Sequence, residues 1–529
     1  MNDWNLKGRT PVQYRRIRNF IDELRRAVFS ATIGFQATYA QSTEVMPLAK
    51  TFTLDRNPVA EGEVWGRTWD SGYFHLQGIV PPGWEGKPLA AWLDLGGEAL
   101  VYSATGEPLW SLTNGSAFDR EYSKDVYRIG PAGAPGSKVE LWIEAAANHL
   151  FGIDRPPQGA DRAATDRFGT WEARVQRLRL GLFDEPTWHL ALDLTVLIDL
   201  WERLDPESPR AARILAGAFE ATTLWHGDPA RSNLVRAHLR ALWDRPAVPS
   251  AQATTAVGHA HIDTAWLWPL AETRRKVART FASQLNLIER YPGYVFGASA
   301  PQHHQWVKED HPALWARIQR AVAQGRWEPQ GGMWIEADCN LPSGESLVRQ
   351  VLHGKNFWRD EFGVDVKTCW IPDVFGYTPA LPQILKKAGI DFFLTQKLSW
   401  SKFNTFPHDT FRWRGLDGSE VVTHFPPEDT YNSYGTPEGL VRAEKAFAEK
   451  AFLDEFLTLV GIGDGGGGPK EEHLEHLLRA QNTEGLPRVS LGGANGFFER
   501  LAPNRDRLEV WDGELYLEYH RGTFTTQAR

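Results

Sequence analysis

From residue 253 onward, short apolar runs of strand type alternate with stretches of helical periodicity. Residues 254–258, 295–297, 326–329, 367–371, 392–395 and 421–424 are the predicted strands. Helical stretches such as 346–362 and 380–388 lie between some of them. Parallel strands need long crossover connections, so this βα alternation specifies a parallel sheet or a barrel. In such folds ligands sit at the carboxyl ends of the strands. The preceding chain has a different texture. Residues 55–185 read as strands broken by turns such as Pro81-Pro82-Gly83 and Thr113-Asn114-Gly115, which predicts an antiparallel β-sandwich. Helical periodicity returns in 190–204 and 234–243, and Pro246-Ala247-Val248-Pro249 punctuates the chain. The expected organisation is an N-terminal helical segment (1–54), a β-sandwich domain (55–186), a helical linker (187–249) and an α/β domain (250–529).

At 529 residues the chain is too long for one core. A net charge of −8 without a basic tract excludes a nucleic-acid surface. Arg15, Arg16, Arg18, Arg25 and Arg26 fall on one amphipathic helix and read as its solvated face. No apolar run reaches the ~18 residues of a membrane span, and the N-terminus lacks a signal-type apolar segment. Cys339 and Cys369 are too few for a disulfide framework, so a cytoplasmic enzyme is expected. The sequence sets no oligomeric state, and a homo-oligomer is compatible with it. The 23 tryptophans point mildly to carbohydrate, since exposed indoles stack on sugar rings.

Chemistry-bearing residues follow the predicted strands. His261-Ile262-Asp263 places an imidazole and a carboxylate two residues apart, on one face of an extended strand. That pair suits a borderline divalent ion such as zinc. His259, two residues earlier, is either a third donor or a packing residue. Asp373, in Trp370-Ile371-Pro372-Asp373, is a nucleophile, a metal ligand or the N-cap of the next helix. Glu336, Asp338 and Asn340 alternate after a strand, where they either bind sugar hydroxyls or organise a loop. Carboxylates also follow His424, at Glu428 and Asp429. Asp464 opens a run of four glycines that lacks the Gly-Lys-Ser/Thr of a phosphate loop and reads as a tight loop lining a polar pocket.

Taken together, residues 258–266, 325–346, 370–377, 424–431, 464–469 and 513–526 resemble, in order, the family 38 glycoside hydrolases. These are the class II α-mannosidases, and the likeness is to their cytosolic and bacterial branch. The resemblance implies a seven-stranded β/α barrel and one zinc ion, with Co²⁺ as an alternative. It implies His261, Asp263, Asp373 and His520 as ligands and Asp373 as nucleophile. Asp429 is the acid/base that it suggests. Trp266, Phe375 and Lys397 match positions lining a mannose pocket, and Trp334 and Asp338 are expected to contact substrate as well.

The implied activity is retaining hydrolysis of terminal α-D-mannose from oligosaccharides or glycoconjugates. Retention requires a nucleophilic carboxylate about 5–5.5 Å from an acid/base. Family members continue for several hundred residues past the last motif, so a truncated form is expected. Two rival readings accompany this one. A zinc deacetylase or amidohydrolase would place similar residues at strand ends, and a truncated fragment would bind carbohydrate without turnover.

Overall fold

The computed structural model of the protein describes residues 10–115, 122–148, 153–154, 167–168 and 171–518. Two compact units emerge, one comprising Met1–Pro249, Thr436–Glu438 and Leu478–Leu486, the other the rest.

The first unit is built on two antiparallel sheets. One has six strands in the order Asn57–Pro58, Gln36–Ser42, Ser71–Ile79, Lys138–Ala146, Glu98–Tyr102 and Pro108–Leu112. The other orders Phe29–Gly34, Arg177–Phe183, Pro88–Asp94 and Val126–Pro131. They face each other: a Cβ on Gly78 of the first would lie 2.9 Å from Leu180 of the second. Leu76, Ala91, Leu93, Val101, Ile143 and Leu180 are all buried in this unit. The sheets recruit Phe29–Gly34 and Gln36–Ser42 from the stretch expected to be an N-terminal helical segment. Short alternating patterns such as the half-buried, exposed repeat of Phe29–Gly34 carry little sequence signal on their own.

Helices complete the unit. In Thr10–Ala27, Ile17, Phe20, Ile21 and Leu24 form a buried stripe at helical spacing. The five arginines stand on its exposed face. Asp184 accepts the Thr187 amide (2.9 Å) and Ser208 that of Ala211 (3.2 Å), capping the helices Glu185–Arg203 and Pro209–Leu224. Each has a proline in its first turn, where no amide hydrogen is needed.

The second unit mixes helices with mainly parallel strands. Its first sheet orders Trp327–Pro329, Phe296–Ala298, Ala253–His259 and Glu455–Val460, and Arg488–Leu491 pairs with the start of Ala253–His259. Its second orders Thr368–Trp370, Phe392–Leu394, Glu420–His424, Thr410–Arg414 and Val510–Asp512. Thr410–Arg414 runs antiparallel to Glu420–His424, and all other pairings in the two sheets are parallel. Two hydrogen bonds run between the sheets. The Gly332 amide donates to the Thr368 carbonyl (3.0 Å), and the Leu457 amide to His424 Nε2 (3.3 Å). The six strands expected from sequence are present within a residue or two, and Glu455–Val460 joins them. Val257, Trp370, Leu394, Val422 and Leu459 pack into one buried cluster drawn from both sheets. Among the described residues no helix is long and apolar enough to cross a membrane.

Candidate metal and catalytic site

The strand Ala253–His259 ends before the metal-type pair expected from sequence. His261 and Asp263 therefore sit in the loop beyond it, not on extended strand. They converge nonetheless, with His261 Nε2 3.4 Å from Asp263 Oδ2. Asp373 Oδ2 is 3.6 Å from the same nitrogen and Asp464 Oδ1 3.9 Å. Donor atoms of His261, Asp373 and Asp464 all lie within 4.8 Å of one another.

Each partner is held by its own surroundings. Past Trp370 the chain turns through Pro372–Phe375, where the buried Tyr377 hydroxyl donates to the Val374 carbonyl (2.8 Å). Asn340 Nδ2 donates to the Phe375 carbonyl (3.1 Å). Asp373 accepts from Lys397 Nζ, which lies 4.8 Å from the centre of the Phe375 ring and 3.6 Å from that of Trp400. Lys397 is buried, so its charge is screened little; it bonds Asp373 and also pulls the Asp464 carboxyl down.

Asp464 arrives on a loop that leaves the strand Glu455–Val460. Its amide donates to the His261 carbonyl (2.8 Å), which docks the loop on the histidine segment. The Tyr431 hydroxyl donates to Asp464 Oδ1 (3.2 Å), and the Tyr431 ring lies 5.2 Å from that of His261. Gln284 fixes the glycine run by donating to the carbonyls of Gly467 (2.9 Å) and Pro469 (3.1 Å). Gly461 sits at φ +124°, and a Cβ there would come within 2.3 Å of Pro469 Cδ and 2.5 Å of the His259 carbonyl. Gly461→Ala is therefore expected to cost about 3 kcal/mol, read as a fall in the urea midpoint. A loss below about 1 kcal/mol would refute the claim that this turn admits only glycine.

The electrostatics follow from burial. For His261, burial alone favours the neutral ring, but Glu336 and Asp263 outweigh it and hold the imidazole well above its ordinary pKa. Burial pushes the Asp464 carboxyl up, and Asp373 and Asp263 add to this against the pull of His261. His261 Nε2 and Asp263 Oδ2 are buried and make no hydrogen bond. One imidazole nitrogen facing three carboxylates is a donor set that fits a borderline divalent cation. His259 does not join it. It is fully buried, edge-on to Trp370 at 5.3 Å, and burial lowers its pKa to about 3, followed by the charge on His261.

Other sequence-predicted residues lie elsewhere. Trp266 is half-buried on the turn after Asp263, edge-on to Trp268 at 5.4 Å. Asp338 accepts the amides of Asn340 and Leu341 (both 3.1 Å), which organises its own loop. Trp334 lines a cavity of about 440 Å³ with Ser346, Arg349, Gln350 and His353, none of them part of the His261 cluster. Asp429 stands at φ +59° with its carboxyl partly desolvated by the surrounding protein, which raises its pKa, and Arg442 opposes this. His520 lies outside the described residues. Two residues named in the sequence reading stand here in other roles than it gave them. Asp464 had been read only as part of a glycine loop, although it too follows an apolar run. Glu336 accepts a hydrogen bond from His261 Nδ1 at 2.7 Å.

This architecture defines a two-part chain: a β-sandwich unit, and an α/β unit with a metal-type acidic cluster at its strand ends. Residues 251–514 match the family model described as Glycosyl hydrolases family 38 N-terminal domain. Residues 32–172 match Alpha-mannosidase, jelly roll domain. The chain belongs to family 38 of the glycosyl hydrolases. It is 38% identical over 493 residues to Alpha-mannosidase 2C1 of Homo sapiens, covering 92% of this chain and 46% of that protein. It is 43% identical over 283 residues to Alpha-mannosidase of Saccharomyces cerevisiae, covering 52% and 26% respectively. An alpha-mannosidase from Enterococcus faecalis V583 superposes with a TM-score of 0.43 at 20% identity, over 50% of this chain and 31% of that one. The chain spans about half the length of the first curated relatives that it matches.

Proposed function

We propose that the protein is a retaining α-mannosidase that removes terminal non-reducing α-D-mannose from oligosaccharides or glycoconjugates. One observation carries this reading: in a family 38 chain, Asp373 meets Lys397, His261 and Asp464 at the strand ends. The seven strands Ala253–His259, Phe296–Ala298, Trp327–Pro329, Thr368–Trp370, Phe392–Leu394, Glu420–His424 and Glu455–Val460 are the ones that a β/α barrel would use, a reading supported by the Gly332–Thr368 and Leu457–His424 hydrogen bonds between the two sheets. The two free, buried cysteines suit a cytoplasmic setting.

His261, Asp263, Asp373 and the late His520 would hold a zinc ion, with Asp464 beside them. When bound, the metal supplies a positive charge and open positions for vicinal sugar hydroxyls. The chain's own groups carry the reaction. Lys397 orients Asp373, whose oxygen attacks the anomeric carbon as the glycosidic bond breaks. The acid/base protonates the departing oxygen, leaving a mannosyl ester on Asp373. The same residue then takes a proton from water, which displaces Asp373 and releases mannose with its α configuration retained. Phe375 and Trp266 serve as aromatic walls, and Trp334 as an outlying substrate contact.

Asp429 is the acid/base implied by the resemblance. Asp464 is a second candidate, favoured by its oxygen lying within 4.8 Å of Asp373 and by a carboxyl raised by burial. Trapping with a fluorinated mannosyl donor, with zinc analysis, tests the proposal. A covalent mannosyl adduct on Asp373 is expected, and an active chain that forms no adduct would exclude this mechanism. The true acid/base, changed to Asn, should lose about 10²–10⁴-fold on poor leaving groups and little on a dinitrophenyl mannoside. Comparing Asp429→Asn with Asp464→Asn identifies it.

A further inference from the structure

The geometry points to Glu336 as the positioning residue of the metal site, a role that rests on the metal reading above. A neutral imidazole carries one N–H and one lone pair, and the hydrogen bond at one nitrogen decides which is which. Glu336 Oε2 lies 2.7 Å from His261 Nδ1, and a carboxylate can only accept there. When a cation displaces one of the two ring protons, the one that remains is thereby held on Nδ1, and the lone pair falls on Nε2. That is the buried nitrogen facing Asp263, Asp373 and Asp464, and it makes no hydrogen bond of its own. With the opposite tautomer, an N–H would occupy the position where a cation has to bind.

Glu336 is fixed well enough to impose this choice. Its other oxygen accepts from Ser299 Oγ (2.8 Å), so both oxygens are engaged. Ser299 precedes Ala300, a non-glycine residue at φ +60°, where the chain turns into the helix Pro301–Asp310. Strain of this kind persists where the surroundings over-determine the backbone. The main chain before Glu336 is tied to Gln350: the Trp334 amide donates to its carbonyl (2.9 Å) and the Ile335 amide to its side chain (3.0 Å). The Glu336 and His261 side chains are 7% and 4% exposed, so water offers His261 Nδ1 little alternative. A sugar-binding role for Glu336 would leave one of its oxygens facing an open pocket, whereas both are turned inward to Ser299 and His261.

The test is zinc affinity, measured on the full chain by competition with a chromogenic chelator. Glu336→Ala is expected to bind zinc 10–100-fold more weakly than wild type. Glu336→Gln, whose amide oxygen can still accept from Nδ1–H, should lose several-fold, giving the order Glu, Gln, Ala. Wild-type affinity in a folded Glu336→Ala protein overturns the proposal. If that variant does not fold, Glu336→Gln decides, and wild-type affinity there is equally fatal. A wild-type chain that binds no zinc removes the metal reading itself, and this inference with it. Loss confined to the unfolding midpoint, with affinity unchanged, would make Glu336 a packing residue only.

Discussion

Asp373→Ala is expected to lower kcat for an aryl α-mannoside by about 10⁴-fold or more, the scale seen when a covalent nucleophile is deleted. That corresponds to roughly 5.5 kcal/mol of transition-state stabilisation. No neighbour can substitute. Asp263 and Asp464 share the cluster, but Asp373 is the carboxylate that Lys397 grips. The substitution also leaves the buried Lys397 without that partner, so Asp373→Asn should be measured beside it as the less disruptive change. Residual activity within about tenfold of wild type, in folded protein of normal zinc content, would eliminate Asp373 as nucleophile.

Glu272→Gln is expected to destabilise the protein by about 3–5 kcal/mol, a large share of what holds a domain folded. The helix Leu270–Arg290 is buried along most of its length and carries Arg275, Lys276 and Arg279 inward. Glu272 bonds Arg279 at 2.5 Å and lies 3.3 Å from Arg275, with all three side chains at 7% exposure or less. Burial alone would raise the Glu272 carboxyl, but Arg275, Arg279 and Lys276 outweigh it and hold it below its ordinary 4.5. A depressed folded-state pKa adds stability that is complete above the unfolded value and is lost as pH falls through the folded one. The folded-state pKa is held down to about 2, so wild type and Glu272→Gln should differ fully in urea midpoint near pH 7, begin to converge below about pH 4 and meet only near pH 2. A gap that persists unchanged at pH 3 would show that shape, not charge, sets the cost.

The alternation of strands and helices was legible because each strand residue carries its own apolar side chain into the core. Glu455–Val460 escaped because Phe452, Leu453, Phe456, Leu457 and Val460 also repeat at helical spacing. Periodicity cannot separate those two cases. His261, Asp263 and Asp373 could be picked out as polar groups directly after apolar runs. The partnership of His261 with Glu336 could not, because it joins residues 75 apart in sequence. Asp464 gave the same local signal as Asp373, but its four glycines drew attention to the loop instead. Asp338 shows the opposite hazard: a carboxylate in a promising motif whose oxygens are occupied by its own backbone.

The ladder between Ala253–His259 and Glu455–Val460 joins chain segments about 200 residues apart, as in the pairing of Thr255 with Leu457. A ribosome adding ~5–20 residues per second needs roughly 10–40 s to cover that distance. Throughout this interval the nascent Ala253–His259 strand has one edge without its native neighbour, and His261 waits without Asp464. The acidic cluster is thus a late event in the life of each new molecule. Glu455–Val460 closes one edge of Ala253–His259 just before it, and Arg488–Leu491 must still follow to pair with the start of that strand before it is no longer open to another chain.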